Sequence, residues 1–151
     1  MPQPPMLPPI GLKLARTAHA VSQAFERSMA DAGGSASAWQ VLLLVRTQQA
    51  DTQSQMAETM GLTRATLTHH LNALERQGLV RRWREETNRR VQKVELTAAG
   101  EELFTRLREV AVHHDARLRA HLSDEQVGEL GELLDRLRTG LNEPAAVATE
   151  S

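Results

Sequence analysis

The chain has 151 residues, enough for one domain with a hydrophobic core, and its lack of cysteine excludes disulfides and thiolate metal sites. Its net charge of -1 excludes nucleic-acid binding through a uniformly basic surface. No apolar run is long enough to predict a membrane-spanning helix.

The N-terminal part begins with five prolines in nine residues and lacks the regions of a signal peptide, so we predict a disordered segment over residues 1–9. Apolar residues then recur at helical spacing from Ile10 to about Ala32, where glycines end the first helix. Ser37 and Gln40 resemble a capping box for a second helix that runs through about Gln48.

Residues 52–97 contain the most informative pattern. Thr52 and Gln55 form a capping box for a short helix, and Gly61 ends that helix in a tight turn. Thr63 then caps another helix, whose buried stripe consists of Leu67, Leu71 and Leu74. Two short helices joined by a tight turn are typical of a helix-turn-helix.

The face opposite the leucine stripe has small or polar side chains and no carboxylate, which suits an approach to base edges and phosphates. Gly78 ends this helix, and residues 79–84 and 91–96 alternate like the strands of a hairpin. Arg89 and Arg90 lie near the hairpin tip, where arginines suit phosphate contact or minor-groove insertion. The segment therefore predicts a winged helix-turn-helix that binds DNA.

The charge distribution supports this interpretation. Between Thr63 and Thr97 there are eight lysines and arginines against four acids, so the segment carries +4 while the rest of the chain carries -5. Positive potential is thus concentrated on one module, as a docking surface for DNA requires. The alternative is a helical interaction module with a solvated basic hairpin, and no motif of an enzyme accompanies either interpretation.

The C-terminal part is predicted to contain two more helices. A long helix follows Thr97 to about Leu122, and a capping box at Ser123 and Gln126 begins the last one. The last helix has a coiled-coil-like stripe formed by Val127, Leu130, Leu134, Leu137 and Leu141. We predict a symmetric dimer with intertwined first and last helices, which places two recognition helices one DNA turn apart, roughly 34 Å. The alternative is that the stripe packs within one chain.

The order of these elements over residues 10–141 resembles the MarR family of bacterial transcriptional regulators. The stretch TQSQMAETMGLTRATLTHHLNALERQGLV and the wing NRRVQKVELTAAG carry the resemblance. It implies a dimeric repressor of a palindromic operator, with the recognition helix in the major groove, wing arginines in the minor groove, and release by a small phenolic or anionic effector. The expected DNA contacts are Thr63, Arg64, Thr66, Thr68, His69, Asn72, Arg76, Arg89 and Arg90.

Two positions depart from the family pattern. The family wing has an aspartate two residues before the groove-reading arginine, whereas this chain has Asn88 before Arg90, and an amide binds a guanidinium without charge assistance. His70 lies where such helices carry an apolar residue. These departures mark where the chain is expected to differ from its relatives.

The effector site is the least constrained part of the sequence. The resemblance implies a pocket where the first, second and fifth helices meet the DNA-binding lobe. Arg16 and His19 would donate hydrogen bonds to a small anion there, and Trp39 would form an apolar wall. The alternatives are constitutive DNA binding without an effector, or a metal response through His114 and His121, which lie two helical turns apart.

The predicted fold class is mainly α, with a small β-hairpin wing and a dimerisation region formed by the N- and C-terminal helices. We expect one MarR-like domain over residues 10–141, with the winged helix-turn-helix at 52–97, dimerisation helices at 10–32 and 98–141, and a flexible tail at 142–151. A DNA-binding regulator of this kind is expected in the cytoplasm, without a cofactor or a resident metal ion.

Overall fold

The structure is a computed structural model that describes residues 8–47 and 52–143. Within these residues the chain forms a two-stranded sheet and six helices. In chain order the elements are α1 (Ile10–Asp31), α2 (Ala36–Thr47), α3 (Gln53–Met60), α4 (Arg64–Arg76), β1 (Val80–Arg84), β2 (Gln92–Leu96), α5 (Ala98–Arg119) and α6 (Asp124–Asn142). The predicted mainly helical fold with one hairpin is confirmed.

Some predicted segments fall at or beyond the limits of the described residues. The predicted disordered segment 1–9 lies outside them except for Pro8 and Pro9, and Pro9 is the N-cap of α1. The predicted flexible tail 142–151 also lies outside them, except that Asn142 still belongs to α6 and Glu143 is its C-cap. The predicted end of the second helix at Gln48 lies just outside the described residues.

The helix ends within the helix-turn-helix follow the predicted caps. The Thr52 side chain accepts the Gln55 backbone N–H at 3.2 Å, and the Gln55 side-chain oxygen accepts the Thr52 backbone N–H at 3.1 Å. Gly61 adopts the left-handed conformation with φ 65°, which glycine accepts without steric cost. The Thr63 hydroxyl accepts the Thr66 N–H at 3.1 Å. Local sequence therefore determines both ends of the tight turn.

The predicted cap of the second helix is wrong by two residues. The Ser35 hydroxyl, not that of Ser37, accepts the Ala38 backbone N–H at 3.0 Å. The turn that follows α1 is complete at Gly34, whose N–H donates to the Met29 carbonyl at 2.9 Å. Ser35 is thus the first residue free to cap, and Ser37 lies inside α2.

The hydrophobic core joins the end of α1 to α2, α3, α4, the wing and the first turns of α5. Leu67, Leu71 and Leu74 are buried, which confirms the predicted stripe. The strands pair antiparallel with Val80 opposite Leu96. The other buried apolar residues of this core are Met29, Val41, Leu42, Leu44, Met56, Ala57, Leu79, Val80, Leu103 and Leu107.

The chain divides within α5 into two compact units, one up to Val112 and one from His113 onward. In the second unit, the α6 leucines predicted as a seam are 37–85% exposed. In the first unit, the start of α1 is also exposed at Ile10 and Leu14. None of the helices in residues 8–47 and 52–143 has the length and apolarity needed to cross a bilayer.

Candidate nucleic-acid interface

Helix α4 presents a polar face opposite its buried leucines. Ala65, His69, Asn72 and Arg76 are exposed on this face, while Thr68 beside them is half-buried. The face is thus accessible at nearly every position where the sequence predicted a DNA contact. Thr63 is exposed as well, but its hydroxyl is less available to DNA, because it already caps the helix and lies 2.9 Å from the Thr66 hydroxyl.

The wing tip is ordered by hydrogen bonds to its backbone. The Asn88 side-chain oxygen accepts the Arg90 backbone N–H at 3.2 Å, rather than a guanidinium as expected from the family pattern. The Arg84 guanidinium donates to the Arg89 carbonyl at 2.8 Å. Among the described residues, the Arg89 and Arg90 side chains are exposed and have no hydrogen-bond or ion-pair partner. Two guanidinium groups are therefore available to an anion at an ordered tip.

The base of the wing is fixed to the start of α5. The Thr97 hydroxyl donates to the Gly78 carbonyl at 2.5 Å, and the Thr97 N–H donates to the Leu79 carbonyl at 3.1 Å. A Cβ at Gly100 would stand 2.0 Å from that same Leu79 oxygen, so only glycine allows the close approach. These contacts hold the first strand of the wing against the core.

An arginine that sequence reasoning did not place among the DNA contacts connects α4 to the wing. Arg82 donates through Nε to Glu75 Oε2 at 2.8 Å, and another nitrogen of its guanidinium donates to Asn72 Oδ1. The hydrogen bond from Arg82 lowers the pKa of Glu75 below its usual value, and the positive charge adds to this effect. Asn72, an expected DNA contact, therefore already has an intramolecular partner.

Comparison with known proteins agrees with this geometry. The MarR family model matches residues 35–91, which run from the cap of α2 through both helices of the helix-turn-helix to the wing tip. A regulatory protein of Thauera aromatica, described as a putative transcriptional regulator of the hcr operon, is 28% identical over 129 residues, 85% of this chain and 78% of its own length. Over residues 35–91, which include the helix-turn-helix and the wing as far as its tip, the chain is similar to MarR-family regulators.

Solved structures of CouR extend the similarity over most of this chain. The repressor CouR bound to a 23-mer DNA duplex has a TM-score of 0.77 at 27% identity, over 86% of this chain and 92% of that one. CouR from Rhodococcus jostii RHA1 bound to p-coumaroyl-CoA has a TM-score of 0.72 at 25% identity, over 85% and 90%. The protein is a DNA-binding transcriptional regulator of the winged-helix type.

Among the described residues, the three predicted effector residues do not line one common cleft. Trp39 stacks on Phe104, with ring centroids 5.3 Å apart and planes inclined by 16°. The two rings line a cleft of about 650 Å³ between α2 and α5, which also has the side chains of Arg46 and Arg108. Arg16 and His19 are exposed on α1 and do not line this cleft. Sequence reasoning missed both arginines of the cleft, because no local pattern shows which residues of α2 and α5 face each other.

The histidines of this regulator are dispersed. His69 is exposed on α4, and the half-buried His70 lines a smaller cavity beside the α1–α2 turn. His114 is buried, whereas His121 is exposed. Asp115 pairs with Arg119 at 2.6 Å. Within the part of the chain that the structure describes, no three histidine, aspartate or glutamate residues form a group that could hold a metal ion.

Proposed function

We propose that this protein is a dimeric, cytoplasmic repressor that binds a palindromic operator and is released by a small aromatic anion. The observation that supports DNA reading most directly is the exposed polar face of α4 together with the two wing-tip arginines, which have no partner among the described residues. In this arrangement α4 enters the major groove and makes the base contacts. Arg89 and Arg90 approach the adjacent minor groove or its phosphates.

The DNA contacts are tested by comparing two variants of different expected effect. Arg90→Ala removes a cation that contacts DNA without reading sequence, so affinity should fall on every duplex and the salt slope should flatten by about 0.9. His69→Ala should instead weaken binding to the preferred sequence and leave other sequences nearly unaffected. The measurement is fluorescence anisotropy at several salt concentrations.

The probes are a duplex selected by the wild-type protein from a random library and a scrambled duplex of the same composition. Arg136→Ala is the matched control, because it removes one exposed arginine from α6, outside the winged module. The assignment of helix and wing fails if both test variants bind like the control. Absence of any preferred duplex for the wild type would refute sequence-specific binding itself.

The dimer is supported by the apolar residues that the chain leaves exposed. The stripe of α6 contains Leu130, Leu134 and Leu137, each at least 37% exposed. An apolar stripe contributes no stability to a helix while it stays in contact with water. A second copy of the chain would cover it and would place two α4 helices on successive half-sites.

A charge placed in the stripe tests the dimer. Leu134→Glu should convert the dimer to a monomer in sedimentation velocity, because burying an unpaired carboxylate is strongly unfavourable. Thr139→Glu, on the opposite side of the same helix, is the matched control and should remain dimeric. A monomeric wild type at micromolar concentration, or a dimeric Leu134→Glu protein, would contradict the proposal.

The effector proposal rests on the chemistry of the cleft between α2 and α5. Its volume of about 650 Å³ lies in the usual range of small-molecule sites. The stacked rings of Trp39 and Phe104 form an aromatic wall, and Arg46 and Arg108 are placed to bind a negative charge. Among the described residues, Arg46 is engaged only by an exposed ion pair with Glu101 at 3.2 Å, which a ligand anion can replace at small cost.

A ligand with an aromatic ring and an anionic group matches this cleft. The CouR ligand, p-coumaroyl-CoA, combines a phenol with phosphates. We therefore use p-coumarate and p-coumaroyl-CoA as probes, with cyclohexanecarboxylate as a non-aromatic anion. The aromatic anions should raise the melting temperature of the protein and release the selected duplex.

Variants of the cleft distinguish DNA binding that responds to an effector from constitutive DNA binding. Arg108→Gln should abolish the response to the aromatic anions, whereas Arg106→Gln, on the same helix but outside the cleft, should preserve it. Constitutive DNA binding is the second candidate. It follows if none of the probes stabilises the wild-type protein or releases DNA.

A further inference from the structure

The contact between α4 and the wing depends on one arginine that is unlike its neighbours. The Arg82 side chain is only 13% exposed, whereas that of the adjacent Arg81 is 67% exposed. Successive residues of a strand point to opposite sides of the sheet. Arg82 therefore faces α4, while Arg81 binds Glu95 of β2 at 2.8 Å and lies over the Trp83 ring.

Arg82 bridges two side chains on one face of α4. Asn72 and Glu75 are three residues apart, so they lie on adjacent turns of the helix. Arg82 Nε donates to Glu75 Oε2 at 2.8 Å, and a terminal nitrogen donates to Asn72 Oδ1. A guanidinium has several donors in a rigid planar arrangement, so binding two acceptors fixes the orientation of all three groups. The helix and the first strand of the wing are thus held in one relative orientation.

The hydrogen bond also orients the Asn72 amide. A guanidinium has no acceptor, so the amide must direct its oxygen to Arg82. One of the two lone pairs of that oxygen is then engaged, and the orientation of the whole amide is set. Because reading adenine uses both amide atoms in one plane, Arg82 decides how Asn72 is presented to a base.

Arg82 has an electrostatic effect at the same place. Glu75 is the sole carboxylate of α4, and its side chain is 44% exposed. Without Arg82, an unpaired negative charge would stand beside the surface that approaches the phosphates. Like charges at such a surface oppose binding.

We infer that Arg82 is a positioning residue for DNA recognition, which acts by holding α4, Asn72 and the wing in one arrangement and not by contacting DNA. This inference rests on the proposed assignment of α4 and the wing as the DNA-reading elements. It predicts that loss of Arg82 weakens discrimination between sequences more than it weakens general attraction to DNA.

The test compares Arg82→Met with Arg81→Met. Both variants remove one positive charge from β1 and substitute the same side chain, but only the first breaks the bridge to α4. Binding is measured on the duplex selected by the wild-type protein and on its scrambled counterpart, at several salt concentrations. We expect Arg82→Met to reduce the ratio of the two affinities by at least tenfold relative to Arg81→Met, with equal salt slopes for the two variants.

The ratio of affinities separates positioning from a purely structural role. Partial unfolding lowers the active fraction for both duplexes equally, so it leaves the ratio unchanged. Arg82→Met leaves the Glu75 carboxylate unpaired, which can destabilise the protein. The double variant Arg82→Met/Glu75→Met removes this charge as well and therefore serves as a second test in a folded protein. Replacing an ion pair with apolar residues of similar size is often neutral for stability. The double variant should show the same loss of discrimination.

The other outcomes each overturn the inference. A ratio within threefold of the Arg81→Met value, in both the single and the double variant, would show that the bridge does not affect recognition. A preserved ratio with the salt slope flattened by about 0.9 on both duplexes would make Arg82 a direct phosphate contact. If the wild type itself prefers no duplex, the proposed function fails first, which distinguishes that failure from failure of the inference alone.

Discussion

Gly100 provides the sharpest test of how the wing is attached to the core. It is the third residue of α5, and a Cβ added there would stand 2.0 Å from the Leu79 carbonyl oxygen and 3.0 Å from the Leu79 carbonyl carbon. Ordinary contact begins at 3.4 Å, so the backbone of Leu79 or of α5 would have to move by more than an ångström. Leu79 immediately precedes β1, so that movement would reach the wing.

The expected cost follows from two opposing effects. Overpacking of a closely packed site typically costs about 1–3 kcal/mol in the free energy of unfolding. Backbone atoms cannot rotate away as a flexible side chain can, so we expect a cost of about 2–3 kcal/mol here. Replacing a helical glycine by alanine recovers up to about 1 kcal/mol of helix propensity. The net loss for Gly100→Ala is then about 1–2 kcal/mol in the free energy of unfolding. A fall of roughly 2–8 °C in the melting temperature corresponds to that loss.

The assay is urea unfolding together with binding to the selected duplex. Gly128→Ala is the matched control, since Gly128 lies near the start of α6 and a Cβ there would meet nothing within 4 Å. The control should gain up to about 1 kcal/mol, the helix propensity of alanine over glycine. Gly100→Ala should also lose operator affinity, because the wing is displaced. Equal stability of the two variants would refute the reasoning from close approach.

Two smaller predictions concern α4. Thr63→Ala removes the cap of the Thr66 N–H and should cost about 1 kcal/mol in urea unfolding, whereas Thr17→Ala, on exposed α1, should change stability by less than about 0.5. The hydrogen bond from Arg82 lowers the folded-state pKa of Glu75 below 4.5, so its contribution is present above that pH and is lost as the pH falls through the folded-state value. Glu75→Gln should therefore reduce the loss in the free energy of unfolding that the protein shows between neutral and acidic pH. An unchanged pH profile would contradict this linkage.

The elements that depend on local interactions were predictable with little error. Caps at Thr52, Thr63 and Ser123 and the left-handed turn at Gly61 follow from bonds within about three residues, and the structure contains all of them. The cap of α2 was misplaced because the closing of the preceding turn, which involves Met29 and Gly34, decides which serine is free. Even a local feature thus depends on the geometry of the element before it.

The parts that were missed connect residues distant in the sequence. Arg82 was counted only as one positive charge, since nothing in its own strand indicates that it faces Asn72 and Glu75. The resemblance puts Trp39 where the first, second and fifth helices meet, and its ring does stack on Phe104 of α5, 65 positions further along the chain, but Arg16 and His19 of α1 do not line that cleft. Such contacts depend on how helices pack, and periodicity alone does not specify which faces meet.

The winged helix-turn-helix, its polar recognition face and its concentrated positive charge can all be inferred from the amino-acid sequence alone. These features come from caps, periodicity and composition, which act over a few residues. The folded chain adds that Asn72 binds Arg82 through its oxygen, that Asn88 accepts a backbone N–H, and that Arg46 and Arg108 lie beside the aromatic cleft. These roles escape the sequence because a side chain acts through the groups within hydrogen-bonding reach, and packing brings those groups from separate elements.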